Sequence, residues 1–416
     1  MRKYAQIGAI VVAAAAIAAC GGSSGSHSAN TGASTGASSS PITVGLLTTL
    51  TGPAAAQFQG NIQGAQARID LQNAQGGVNG HSINLVHADD QTSPQVASTG
   101  MSDLVQNKHA FAVINLSDFT AGGAYRIPQQ AGVPVVGFPS DGPEWGQQPN
   151  TNMVSMAGNV PASGIGGVVN TLYPEVAKMV GAKNMAVLSI GGEPASVQGG
   201  QSFVKAAQAA GVKVGYTNYS LPIGTVDVTS TVLAMKQAHV DGFDSGLLVN
   251  TNLAILTTAR QAGLSLRASL LPGGYSQDLL SQPAAVQAAQ GAIFTVFQRP
   301  VSEPNAATKT EQSAFATYEH FTGVPSLGWT AGWVSADLLI QGLKAAGANP
   351  THTTLLNAFH NLKGYDAEGL LPAPIDVSLA NFGKAPAQEC DWFVQLKGSS
   401  FVSLNGGKPI CGSTIK

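Results

Sequence analysis

The sequence predicts an α/β protein of two doubly wound parallel-sheet lobes joined by a multi-strand hinge, and three observations predict it. Short apolar strands alternate with helical periodicity from Ile42 onward, the rhythm breaks around residues 157–163 and restarts, and mixed elements continue after two sheets are already complete. A chain of 416 residues is also too long for one small core and suits two domains.

In the first half Ile42, Val44 and Leu46 alternate as a strand, residues 48–53 turn, and Phe58, Ile62, Ala65 and Ile69 recur at helical spacing. That helix ends at residues 73–77, where the pair Gly76-Gly77 can take the left-handed conformation of a helix C-terminus. Residues 82–88, 110–114 and 133–138 read as further strands, 94–106 as a helix, and Ser117 or Asp118 as the cap of another helix. After the break, helices at 165–180, 197–210, 228–238 and 253–262 alternate with strands at 185–190, 212–219, 245–249 and 269–271. A strand at 292–297 and helices at 310–321, 330–346 and 354–362 follow. Placing them requires the chain to cross back, so at least two inter-lobe hinges are expected. The first lobe is assigned residues 41–157 with about 277–384, and the second 158–276 with about 385–416.

Arg2 and Lys3 precede an apolar run from Ile7 to Ala19 and then Cys20, which reads as a signal peptide over residues 1–19 with a lipobox. The apolar core is about a dozen residues, short of the roughly 20 that span a bilayer as a helix. Cys20 resembles the bacterial lipoprotein cysteine, which accepts a diacylglyceryl group and becomes the new amino terminus. The other reading is a plain secretory peptide with an incidental cysteine. Residues 20–40 are almost entirely Gly, Ser, Ala, Thr and Asn and read as a tether. Two Gly-x-Ser-x-Gly matches within it, at 21–25 and 32–36, lie between no strand and helix and carry no esterase reading. In a protein that leaves the reducing cytosol, Cys390 and Cys411 read as a disulfide contributing about 3 kcal/mol, against the alternative of two reduced buried thiols.

Composition and motifs exclude several classes. Charged residues are 10%, the net charge is -2 and there is no basic cluster, which argues against nucleic acid as a partner. The many Gly (50) and Ala residues suggest short connections and closely packed helices. There is no Walker loop, no Gly-x-Gly-x-x-Gly after a strand and no zinc-type His spacing, so no cofactor or metal is expected. Asp89-Asp90 reads as a strand-end turn rather than a metal site, and Ser202-x-x-Lys205 lacks the other β-lactamase elements and reads as helix surface.

Leu46 to Pro53, then Gly76-Gly77-Val78-Asn79-Gly80, then Asp89 to Pro94, in that order and spacing, resemble the leucine/isoleucine/valine-binding family of periplasmic-type binding proteins. The likeness continues through Gln130 to Pro134 and the late Cys-x-Trp-Phe-Val at Cys390 to Val394, and covers essentially everything from Ile42 onward. It implies the type I periplasmic-binding-protein architecture. It also implies an extracytoplasmic protein, held to the bilayer through Cys20, that closes on a small-molecule ligand, an amino acid or related polar solute, and delivers it to an ABC permease. A lipoprotein that signals through a membrane receptor would share the same fold and site. An exported hydrolase would need a nucleophile, base and oxyanion donor, which are not found, so no catalysis is expected.

Carried over by position, Phe58 matches the family's aromatic after the first loop, Ser117 and Asp118 fall on its Ser-Ser pair, and Ser140 with Asp141 fall on its Ser-Ala-Thr loop. Asp118 departs by replacing a hydroxyl, and the loop between Pro139 and Pro143 is one residue short. In the second lobe, Ala195 stands where the family places a ligand-contacting Tyr, and Asn250-Thr251-Asn252 lacks the Glu of an ammonium clamp. Tyr275 and Trp329 are candidate walls from the hinge side, with core packing as the competing role; Phe58 has the same two readings. If Asp118 and Asp141 both face the cleft, they disfavour a zwitterion's carboxylate and favour a cationic, amide or other polar ligand. Asp118 as a helix N-cap is the competing reading.

Overall fold

The inner parallel strands of the first lobe are buried on both faces while the edge strand at residues 81–89 is largely open, and their apolar alternation divides between two cores. The computed structural model describes residues 39–139 and 142–415. Chain order in this lobe runs β1 (Ser39–Thr48), α1 (Asn61–Ala74), β2 (His81–Asp89), α2 (Pro94–Ser102), β3 (Ala112–Leu116), α3 (Arg126–Ala131), β4 (Val135–Gly137) and β5 (Met153–Ser155). The sheet order is β2-β1-β3-β4-β5, all parallel. Val44 and Leu46 point into one core, and Leu47 points into the other with Met101, Leu104 and Trp145.

The second sheet repeats the pattern. Its elements are α4 (Leu172–Met179), β6 (Asn184–Ile190), α5 (Pro194–Ala209), β7 (Lys213–Leu221), α6 (Thr229–Gln237), β8 (Gly242–Gly246), α7 (Val249–Gln261), β9 (Ala268–Leu271), α8 (Gln277–Leu280), α9 (Pro283–Ala288) and β10 (Ile293–Val296). The chain then returns to the first lobe as α10 (Ala306–Tyr318), α11 (Leu327–Ala346), α12 (His352–His360) and the antiparallel pair β11 (Lys363–Tyr365) and β12 (Ile375–Asp376). It ends in the second lobe as β13 (Gln388–Lys397), β14 (Ser400–Ser403) and β15 (Ile410–Ser413). The second sheet runs β14-β13-β10-β9-β8-β6-β7, with β13 antiparallel to β10, β14 and β15. Both sheets therefore carry a switch point beside their first strand, between β1 and β3 and between β6 and β8, where a crevice opens beyond the strand ends. The architecture is that of a type I periplasmic binding protein, two α/β lobes with parallel sheets.

Three stretches of the described chain join the lobes, at residues 156–171, 297–305 and 377–387. The first and third run together: Pro161 bridges Gly383, and the Ala162 N–H donates to the Gly383 carbonyl at 3.2 Å. The return crossing falls later than the expected residue 277. Leu279 and Phe294 sit in the second lobe's core, and β10 adds to β9 as a parallel strand, so the chain leaves that lobe only after Val296.

Three other expectations are corrected. No helix is capped by Ser117 or Asp118; the chain turns through residues 117–125 and α3 begins at Arg126. The helix expected over 165–180 is a single 3-10 turn at Ile165–Gly167 followed by α4, because Gly164, Gly166 and Gly167 belong to the crossing. The strand expected at 245–249 is β8, and the apolar Leu247-Leu248-Val249 leads into α7.

The expected close helix packing is realised where α1 crosses α11. A Cβ on Gly64 would lie 2.0 Å from the Trp329 carbonyl oxygen, and one on Gly332 would lie 2.2 Å from the Asn61 carbonyl oxygen. Only glycine lets the two backbones approach this closely. At the other end of the molecule, Cys390 faces Cys411 across the β13–β15 ladder and the two are bonded. Reduction, or Cys390→Ser with Cys411→Ser, is expected to lower the unfolding free energy by about 3 kcal/mol, read as a lower guanidinium midpoint.

Candidate functional site

The strand-end loops of both lobes meet around a cavity of about 380 Å³. Asp118, Phe119 and Gly122 reach it from the loop after β3, and Gly142 and Pro143 from the loop after β4. Gly164, Ile165 and Gly166 come from the crossing, and Glu193, Pro194, Ala195 and Gln198 from the turn after β6 and the start of α5. Leu248, just beyond β8, packs against apolar clusters of both lobes, so the two halves touch there. A second niche of about 50 Å³ lies in the first lobe, walled by Phe58, Leu116, Phe138, Leu327 and Ala331, with Asp118 common to both spaces.

The loop after β1 is held by two acids at the end of β2. Asp89 accepts from the Leu50 and Thr51 amides and, at 2.6 Å, from the Thr51 hydroxyl, which holds its carboxyl below the usual range against the opposing effect of burial. Asp90 is buried, which pushes its carboxyl up, while donations from the Ser117 and Thr49 hydroxyls and the Thr92 amide pull the other way. The pair braces a turn, and among the described residues no group of three His, Cys, Asp or Glu is placed to hold a metal.

The residues expected at the site are distributed unevenly. Asp118 and Ala195 line the larger cavity from opposite lobes, and Phe58 lines the smaller niche. Ser117 is fully buried and lines neither space: its oxygen accepts from the Phe119 amide at 3.0 Å and its hydroxyl serves Asp90. Asn250 is exposed in the first turn of α7 and lines neither space. The tight polar contacts there belong to Thr251, which donates to the Thr225 carbonyl at 2.7 Å, and to Asn252, which accepts from Ser245 at 2.6 Å. Ser140, Asp141 and Cys20 lie outside the described residues.

Tyr275 and Trp329 are corrections, because neither forms a wall of the cleft. Tyr275 is 7% exposed, with its ring 4.8 Å from that of Phe401 and its hydroxyl accepting from the Val301 amide at 3.0 Å, so it anchors the crossing after β10 to the second core. Trp329 stacks on Phe321 at 4.3 Å and meets Phe315 edge-on at 4.9 Å over the glycine contact of α1 and α11. Packing is the role the structure gives both.

Sequence reasoning missed Glu193, Gln198 and the Gly164-Ile165-Gly166 turn. Glu193 precedes Pro194 at the start of α5, its side chain caps no helix amide, and among the described residues it makes no hydrogen bond or ion pair. Burial alone raises its carboxyl. The available signal was the position itself: a charged residue directly after Gly191-Gly192, at the C-terminal end of a parallel strand.

A family model described as periplasmic binding protein matches residues 41–401. The chain belongs to the periplasmic binding protein family. Among relatives, this periplasmic binding protein is 24% identical over 319 residues to the Leu/Ile/Val-binding protein BraC3 of Rhizobium johnstonii, covering 74% of this chain and 80% of the relative. Among solved structures, it superposes on a branched-chain amino acid ABC transporter protein from Thermus thermophilus with bound valine, with a TM-score of 0.72 at 17% identity, covering 89% of this chain and 96% of that one. A solute-binding protein from R. palustris in complex with benzoate gives a TM-score of 0.71 at 20% identity, covering 89% and 97%. At these identities the structural likeness establishes the fold.

Proposed function

We propose that this periplasmic binding protein captures a small polar solute between its lobes and delivers it to an ABC permease, acting outside the cytoplasm and held to the membrane through a lipid on Cys20. The observation that supports this reading is the cavity at the C-terminal ends of the strands, lined by both lobes and by the first of the three crossings. A small solute is supported by relatives named for leucine, isoleucine and valine and by neighbours holding valine or benzoate, molecules of up to about ten heavy atoms, a size that suits a space of about 380 Å³. The reading assigns no chemistry to the bound solute: capture and hinge closure are the whole cycle.

A thermal-shift screen against amino acids, amides, amines and small organic acids tests it. A solute that binds only the folded state, supplied at about 100 times its dissociation constant, adds about 2.7 kcal/mol and raises the melting temperature. A screen without any shift, together with no solute released on denaturing the purified protein, would remove the reading. For the anchor, cells fed labelled fatty acid are expected to label the chain, and Cys20→Ser is expected to abolish the label; label retained in that variant would place the lipid elsewhere.

A further inference from the structure

The last strand of the chain lies where two of the three crossings meet the second lobe. β15 and the two residues after it run between residues 169–171 of the first crossing and residues 386–388, where the third crossing becomes β13. On one side the Thr171 amide donates to the Ser413 carbonyl at 3.1 Å, and the Ile415 amide to the Val169 carbonyl at 2.8 Å. The Asn170 side-chain amide adds donations to the Gly412 carbonyl and the Thr414 hydroxyl, both at 3.2 Å. On the other side the Thr414 amide donates to the Ala387 carbonyl at 3.1 Å, and its hydroxyl to the Pro386 carbonyl at 2.7 Å. A Cβ on Gly412 would lie 2.0 Å from the Leu172 amide nitrogen, so the strand sits directly against the start of α4. The Cys390–Cys411 bond then fixes β15 to β13.

The opposite ends of these crossings are tied to the first lobe. Gln147 donates to the Ala162 carbonyl at 2.9 Å, and the Ala162 amide donates to the Gly383 carbonyl. Ser202 of α5 holds the Gly166 carbonyl at 2.7 Å, so Gly166 already belongs with the second lobe. Between the two sets of ties remain residues 163–165 in the first crossing and 384–385 in the third. Two short pivots define one axis of rotation. Gly164 and Ile165 also line the larger cavity, so turning about that axis changes its width directly.

We infer that the disulfide-bonded C-terminal strand is a hinge clasp, fastening the second-lobe ends of the first and third crossings into one strip and confining lobe rotation to residues 163–165 and 384–385. The disulfide then governs the motion of the lobes as well as their stability. Without the clasp, residues 169–171 and 386–387 join the moving part, the pivots lengthen, and the lobes twist as well as open. The inference holds whatever solute the cavity takes.

The test is the distance distribution between two nitroxides in the whole chain without added solute. The labels sit on a keto-bearing amino acid at exposed Thr99 in the first lobe and exposed Lys205 in the second, so no new cysteine is introduced. Amide hydrogen exchange at Thr171, Thr414 and Ile415 is followed in the same proteins. Cys390→Ser with Cys411→Ser, and separately Asn170→Asp, are expected to widen the distribution at least about twofold and to speed exchange at the three amides at least about tenfold. Asn170→Asp keeps the oxygen that accepts from the Leu172 amide at 2.8 Å and removes the donations to residues 412 and 414. It also leaves the disulfide in place, so it decides the matter if the double variant fails to fold. Asp337→Ala, which breaks a buried ion pair in the first lobe, is expected to lower stability and leave both readouts unchanged. An unchanged distribution in either clasp variant, faster exchange without widening, or the same widening in Asp337→Ala would each overturn the clasp.

Discussion

Replacing Asp337 by Ala is expected to lower the unfolding free energy by about 3–5 kcal/mol, the cost of leaving a buried charge without its partner. Arg68 of α1 donates through Nε to one Asp337 oxygen at 2.8 Å, with both side chains about nine-tenths buried. The Tyr365 hydroxyl donates to the other oxygen at 2.8 Å. The guanidinium lies 5.8 Å from the centre of the Trp333 ring, and its remaining partner, Gln72, is at 3.5 Å. Asp337→Ala therefore leaves the buried guanidinium without its carboxylate and leaves the Tyr365 hydroxyl only the Val334 carbonyl at 3.3 Å, at the α1–α11 contact where glycines bring the two backbones close. Chemical denaturation measures the loss. The double variant Arg68→Met, Asp337→Leu is expected to recover most of it, because two apolar side chains remove the desolvation penalty altogether. A single Ala variant within about 1 kcal/mol of the parent would contradict this account.

The second expectation is a melting temperature that falls as pH rises from 5 to 8, with a large part of the slope removed in Glu311→Gln. Glu311 is fully buried in α10, and burial pushes its carboxyl up to about 8. Gln298, in the crossing after β10, donates to one Glu311 oxygen at 2.6 Å, while the other Glu311 oxygen and the Gln298 amide oxygen have no partner. A proton on the carboxyl supplies a donor at the place where two acceptors otherwise stand unmatched. Since the folded value is raised above the ordinary carboxylate value of about 4.3, stability from this group is fully present below that value and is lost as pH climbs through about 8. Within the window the folding equilibrium changes by at most about tenfold per pH unit for each such group. Burial likewise pushes Glu389 and Asp244 up to about 7, which adds to the slope. Asp89 and Asp376 are shifted down and act at more acid pH with the opposite sign. A profile that is flat between pH 5 and 8, or one that Glu311→Gln leaves unaltered, would contradict this assignment.

The strands and helices readable in the sequence were those whose burial follows from their own periodicity. The residues of β1 and the glycines closing α1 announce themselves, because alternation and a left-handed C-terminus are local requirements. The strand β8 did not, since Gly242-Phe243-Asp244-Ser245-Gly246 owes its place in the sheet to neighbours on both sides, while the apolar residues after it are covered by contact between the lobes. The same holds for the return crossing: α8 and α9 are too short to declare a lobe, and the pairing of β10 with β13, almost a hundred residues later, settles the matter. At the site, Asp118 and Ala195 could be placed by counting along the chain, whereas Glu193 carried only a positional signal at a strand end, which gained meaning once loops from different lobes faced one space. Tyr275 and Trp329 have the composition of binding walls, yet each answers a packing need created by the crossing or by a glycine contact.

The three crossings have a consequence for how the chain acquires its shape. The sheet holding β6 to β10 keeps an unpaired edge at β10 until residues 388–397 exist, and the sheet of β1 to β5 has one face covered only by α1 until α10 to α12 arrive. Neither lobe is continuous in order of synthesis. Contacts such as the Asn79 amide with the Leu343 carbonyl close a loop 264 residues apart in sequence. Such pairings place the slow step late, after most of the polypeptide has been made, and leave an open strand edge as the vulnerable intermediate.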